Sequence, residues 1–170
     1  RRILAAIAAI AAVTVLFTGC NDIKDAVSGA VAQVISGNVT GQVGKTYATQ
    51  WFEFTIDSIE VVPSYAGYTA APGHKLIDVV ITEKGTFETP SPMGTFDFRI
   101  DHDSFDDWYW PLDPMDSTMM PEEFDLAKDQ VVQYHMVYEV PDDVKGLMLM
   151  YIELDEQNNE GNTFTINIED

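Results

Sequence analysis

The chain has 170 residues and sets nine basic side chains against 28 acidic ones, for a formal charge of −19. A surface of that sign repels phosphate backbones and anionic lipid headgroups, which excludes nucleic acid and direct headgroup binding as partners. A single cysteine excludes a disulfide framework, and the length suits one domain with a sizeable core.

In chain order, Arg1 and Arg2 precede a run from Ile3 to Phe17 that is apolar except for Thr14. A spanning helix needs about 20 apolar residues, so the run is short for a transmembrane anchor. A positive start, a short apolar stretch and a small-residue exit describe a secretory signal over residues 1–19. The exit, Thr18-Gly19-Cys20, resembles the lipobox of prokaryotic lipoproteins, with Phe17 where leucine is usual. That resemblance implies cleavage before Cys20 and a diacylglycerol on its sulfur, with palmitate among the acyl chains expected. Cleavage there would leave 151 residues with a charge of −21. Two acyl chains anchor stably where one binds only marginally. The expected location is the extracytoplasmic face of a cell membrane.

Residues 20–43 carry no aromatic side chain. Ile23, Ala26, Val27, Ala30, Val31 and Val34 recur at helical spacing, although Gly29 and the β-branched valines make a weak helix. A stalk is expected there, followed by a domain over residues 44–170. The stretch GQVGKTYAT has the Gly-Lys-Thr of a phosphate-binding loop, but Val39 stands where its first glycine belongs.

From Tyr47 onward the apolar period is two. Phe52, Phe54 and Ile56 share a face, and after Asp57-Ser58 the parity moves to Ile59 and Val61, as at a β-bulge or a strand crossing between sheets. Further strands are expected around Leu76 to Thr82, Phe96 to Ile100, Trp108 to Trp110, Val132 to Val140, Leu147 to Leu154 and Phe164 to Ile168. Turn-forming stretches separate them, among them ETPSPMG, PDDVKG and EQNNEG. About seven short strands and no helix beyond the stalk predict an all-β, immunoglobulin-like antiparallel β-sandwich.

Three stretches, GKTYATQWFEFTIDSIEV, APGHKLIDVVIT and DLAKDQVVQYHMVYEVPDDVKGLMLMY, resemble the telokin-like, immunoglobulin-fold domain of unknown function found in prokaryotic surface lipoproteins. Tyr138-Glu139-Val140-Pro141 and Lys145-Gly146-Leu147 stand at that domain's late strand and the turn after it. The chain departs at Asp129, where the family usually has glycine, and at Glu83-Lys84, where its strand often ends with asparagine. The resemblance implies an anchored binding or structural module and carries over no catalytic residue.

The stretch from Asp101 to Asp125 holds nine acidic residues and no lysine or arginine. Asp101, Asp103, Asp106 and Asp107 are spaced closely enough for several carboxylates to meet one Ca²⁺, which takes six to eight oxygens. The spacing is not that of an EF-hand, and a solvated acidic loop is the favoured reading. Trp108 and Trp110 alternate with Tyr109; core packing is their expected fate, with an exposed platform for a ligand or protein as the alternative. His74, His102 and His135 lack zinc-ligand spacing, and no nucleophile elbow is present. The expected function is a non-enzymatic, membrane-anchored module that binds a protein or ligand through its loops, above all the loop between Pro111 and Asp125. A Ca²⁺-binding module is the alternative and a carboxylate-dependent hydrolase the third reading. No cofactor is expected besides the lipid on Cys20.

Overall fold

The computed structural model describes residues 37–102 and 107–168. Cys20 and the signal segment lie outside the described residues, as do Asp103 and Asp106. The fold is a β-sandwich. One sheet has five strands in the order β1 (Asn38–Gly41), β11 (Glu160–Asn167), β10 (Met148–Leu154), β6 (Phe98–Asp101), β7 (Trp108–Tyr109). The other has four, β2 (Thr46–Ala48), β3 (Phe52–Val62), β4 (His74–Gly85), β9 (Val131–Pro141). A ribbon of β5 (Ser91–Met93) and β8 (Phe124–Leu126) stands apart from both, and a single 3-10 turn, Thr95–Asp97, leads into β6.

Alternation decides what lies between the sheets. Phe52, Phe54 and Ile56 of β3 face Phe98 and Ile100 of β6, Leu149 and Tyr151 of β10, and Phe164 and Ile166 of β11, all buried in one core. Phe54 touches rings from both layers, and the Tyr138 hydroxyl reaches across the interface to donate to the Phe98 carbonyl at 3.3 Å. The parity change at Asp57 is a bulge: the register of β3 on β4 slips between Ile56 and Ser58. The extra residue is put to use, because Asp57 Oδ2 accepts from the Thr82 hydroxyl at 2.7 Å and from Gln133 Nε2 at 3.0 Å.

Four features depart from expectation. Residues 38–41, assigned above to the stalk, form β1 and pair in parallel with β11, so the folded unit begins before Gly44 and the five-stranded sheet is not wholly antiparallel. Four short strands, β1, β2, β5 and β8, add to the seven expected. They escape periodicity because three or four residues are too few to show it. The stretch between Pro111 and Asp125 is not a free loop. Leu112 N donates to Val137 O at 2.7 Å and Met120 N to His135 O at 2.9 Å, while Met119 and Met120 are buried. It runs along β9 as an irregular edge. Phe96, expected in a strand with Phe98 and Ile100, belongs to the 3-10 turn and is exposed.

The two departures from the telokin-like pattern also find their places. Asp129 has φ +62, in the left-handed region where glycine is at ease, and β4 continues through Glu83-Lys84 to Gly85. Gly85 and Gly94 hold the β5–β8 ribbon close to the sandwich. A Cβ on Gly85 would lie 2.1 Å from Ala127 O, and one on Gly94 would lie 2.0 Å from Glu122 O.

Candidate functional site

Two regions combine shape with chemistry. The first is the outer face of the five-stranded sheet. Phe98 and Ile100 point inward, so pleating turns Arg99 and Asp101 outward. Trp108 lies directly across from Asp101 in the β6–β7 pair and therefore shares that outer face. The Arg99 guanidinium stacks over the Trp108 ring at 4.8 Å, and its Nη2 donates to Asp101 Oδ2 at 3.2 Å and approaches Met150 Sδ at 3.6 Å. Trp110 meets Phe96 edge to face at 5.7 Å. Between them is a shallow hollow of about 270 Å³, lined by Phe96, Arg99, Trp110 and Met150 with the acids Asp97 and Glu160 among its other walls.

This corrects the expectation of core packing. Trp108 is 43% exposed, Trp110 41% and Phe96 55%. Tyr109 alone of the trio turns inward, opposite Ile100, where it packs against the core and burial pushes its hydroxyl up from the ordinary value. Nothing in the alternation of the trio could decide which face was the wet one. The pairing of Trp108 with Asp101 decides it.

The proposed cation ligands are divided. Asp101 is buried and already neutralised by Arg99, with its Oδ1 lacking a hydrogen-bond partner among the described residues. Asp107 Oδ1 accepts from Trp108 N at 2.9 Å, closing the start of β7. Among the described residues no group of three or more His, Cys, Asp or Glu side chains could hold a metal ion. The histidines are dispersed: His74 opens β4, His102 packs near Tyr109 at 6.1 Å, and His135 Nδ1 meets Asp78 at 2.9 Å.

The second region was not foreseen. At the end of the sandwich where β3 begins and β4 ends, the β4–β5 connection folds over a crevice of about 430 Å³. Trp51, Phe52, Phe87 and Tyr151 supply its aromatic walls, and Ser91 and Asp97 are among its polar groups. Thr49 Oγ1 accepts from Trp51 N at 3.1 Å and Phe52 N at 3.0 Å, while Trp51 Nε1 donates to Leu154 O at 2.8 Å, so this wall is held at both ends.

Two carboxyl groups in this part of the molecule are electrostatically coupled. Glu83 has no exposed surface, and neither of its oxygens has a partner among the described residues. Burial, and secondarily the charge of Asp97, push its carboxyl up to about 8. Asp97 keeps part of its surface in solvent, but its carboxyl group is crowded by protein atoms. The crowding raises it, the hydrogen bond from Gly94 N to Oδ2 at 2.7 Å opposes the rise, and solvent on the open side screens it. Asp97 therefore ionises first, and its charge then helps keep Glu83 protonated. Glu153 shows the contrast: equally buried, it accepts from Gln50 N and from Asn162 Nδ2 at 3.1 Å. Continuing the inward parity of Ile77, Val79 and Ile81 by one step would have placed Glu83 in the core from sequence alone.

Among the described residues no helix is long and apolar enough to cross a membrane. Neither protein-family models nor curated proteins match the chain by sequence. Solved structures do match in shape. A candidate lipoprotein of Bacillus subtilis subsp. subtilis str. 168 (ycdA) superposes with a TM-score of 0.56 at 18% identity, covering 74% of this chain and 39% of its own length. An uncharacterised β-sandwich protein of Clostridium difficile 630 gives 0.52 at 16% identity, over 84% of this chain and all of its own. MPT63, a secreted protein of Mycobacterium tuberculosis, gives 0.55 at 9%, over 75% of this chain and 96% of its own. At such identities the likeness is one of fold, and the chain takes its place among the all-β sandwiches.

Proposed function

We propose that the chain is an extracytoplasmic lipoprotein, anchored through Cys20, whose β-sandwich is a telokin-like, immunoglobulin-type module that binds a protein partner without catalysis. The observation that carries the reading is the outer face of the five-stranded sheet, where Phe96, Trp108 and Trp110 stand open to solvent around Arg99. Aromatic residues and arginine are the side chains that dominate protein interfaces, and such a cluster left open on a soluble face marks an interaction site. The acidic remainder of the surface repels nucleic acid and anionic lipid, which leaves proteins as the favoured class. Support for the anchor comes from the Thr18-Gly19-Cys20 exit and from the fold shared with a candidate lipoprotein. A hydrolase reading is weaker, because the most perturbed carboxyl, Glu83, has no surface from which to reach a substrate.

Two expected outcomes test this. In cells given radiolabelled palmitate the full chain carries label in the membrane fraction, and Cys20→Ala carries none and appears in the soluble fraction. Membrane retention of an unlabelled chain would remove the anchor from the proposal. In affinity capture from detergent-solubilised envelopes, Trp108→Ala/Trp110→Ala recovers a specific partner at least about tenfold less well than the parent chain, the loss typical of interface anchors. Both side chains are exposed, so the unfolding midpoint should barely move. Recovery of the same proteins in equal amounts by both chains would rule out this face.

A further inference from the structure

The crevice beneath the β4–β5 connection has a charge and hydrogen-bond pattern of its own. Its lining contains the acidic side chains Asp97 and Glu156 and no lysine, arginine or histidine, on a chain that is itself strongly acidic. Ser91 is among its lining residues with only 5% of its surface exposed, and its buried hydroxyl oxygen has no hydrogen-bond partner among the described residues. Buried polar groups are paired in all but a few cases, so an orphaned hydroxyl beside a cavity marks a place where something else completes the bond. Trp51 and Phe87 meet edge to face at 4.8 Å and 72°, forming an aromatic corner fixed by the Trp51 hydrogen bonds.

These groups select the occupant. Asp97 and Glu156 only accept when ionised, so the bound molecule has to bring donors to them. It also has to suit a negative site walled by aromatic rings, whose faces attract cations. A sugar brings acceptors in proportion to its donors and leaves most of them unmet here. An ammonium group brings donors and positive charge together, and an attached carbon skeleton fits the apolar walls. The volume lies within the range of small-molecule sites.

We propose that this crevice binds a small primary organic amine in its ammonium form, with the nitrogen between Asp97 and Ser91 and the carbon skeleton against Trp51 and Phe87. The crevice shares Asp97, Ile152 and Leu154 with the hollow beside Phe96 and Trp110, but neither Trp108 nor Trp110 lines it, so amine binding is expected to survive their removal. Proton and ligand compete for Asp97, so amine affinity falls as pH drops through the raised range of that carboxyl. The other ionisable groups around Asp97 are Glu83 from β4, held protonated by burial, Tyr151 and Glu153 from β10 with Glu156 beyond it, Glu160 from β11, Glu122, Glu123 and Asp125 beside and within β8, and Arg99 from β6, which turns to Asp101 and Trp108.

Titration calorimetry on the full chain, with hexylammonium and with hexan-1-ol as its uncharged counterpart, tests the proposal. At neutral pH hexylammonium should bind at least about tenfold more tightly than the alcohol, the margin expected of a single ionic contact. Asp97→Asn should erase that margin. The variant keeps an acceptor for Gly94 N and so keeps the turn. Ser91→Ala, a change remote from the turn, should weaken the amine and spare the alcohol. Trp108→Ala/Trp110→Ala should bind hexylammonium normally, so failure of the outer face as a partner site and failure of this crevice are distinguishable. Equal affinities for amine and alcohol, no saturable amine binding, or an affinity for the amine unmoved by Asp97→Asn would each overturn the proposal. So would saturable binding of a neutral monosaccharide displaced by neither compound.

Discussion

Replacing Glu83 with methionine should stabilise the protein at pH 8 by on the order of 5–7 kcal/mol, and by much less at pH 4. Glu83 lies opposite Phe54 across the β3–β4 pair, fully buried, with both oxygens unpartnered. Its carboxyl titrates near 8 in the folded chain against 4.5 for the free group, chiefly because burial penalises the charged form. The folded value is the higher one, so the favourable term is complete below about 4.5 and is lost as pH rises towards 8. Across that window the unfolded chain has released a proton that the folded chain still holds. Stability then declines by about 1.4 kcal/mol per pH unit from this group alone, and the decline ends above 8.

Methionine removes the ionisable group and fills the position with apolar atoms. At pH 4 only the relief of an unpaired buried carboxyl remains, about 1–3 kcal/mol. Glu83→Gln separates the two contributions, since it abolishes the pH dependence but leaves an unpaired amide. Urea unfolding at pH 4, 6 and 8 on the three proteins measures all of this. A small residual slope is expected in both variants from Asp97, whose shift has the same sign. If the parent chain and Glu83→Met show the same slope between pH 4 and 8, Glu83 does not titrate as described.

The second large effect concerns Phe54. Its ring lies 5.5 Å from those of Phe98 and Phe164, 5.9 Å from Tyr151 and 5.6 Å from Tyr47, so it joins both sheets at once. Phe54→Ala should cost about 3–5 kcal/mol, because the transfer term is lost and the surrounding rings cannot close the cavity. Phe96→Ala provides the contrast. The same substitution on the exposed 3-10 turn should change stability by roughly 0.5 kcal/mol or less. Equilibrium denaturation of the two variants side by side decides the matter, and equal losses would mean that Phe54 is not the keystone of the interface.

The contrast between those two phenylalanines also marks where reading the sequence stops. Both belong to alternating apolar runs, and both are read from the sequence as strand residues. Phe54 sits in a strand long enough for Phe52 and Ile56 to fix its face. Phe96 sits before a four-residue strand, where a glycine and a helical turn break the alternation.

Local chemistry alone determined the all-β class, the shared faces of β3, β9 and β11, the change of parity at Asp57, and the strongly acidic charge. Each depends on the pleat or on composition, which neighbouring residues settle among themselves. Tertiary structure alone decided that β1 pairs in parallel with β11, that Trp108 and Trp110 stand outside, and that Ser91, Asp97 and Trp51 border one crevice. These facts depend on register and on which sheet faces are covered, and both are set by contacts between residues far apart in the chain. Trp51 and Leu154 are 103 positions apart and share a hydrogen bond. No window along the sequence spans that distance, because alternation records which side a residue faces and not what it will face.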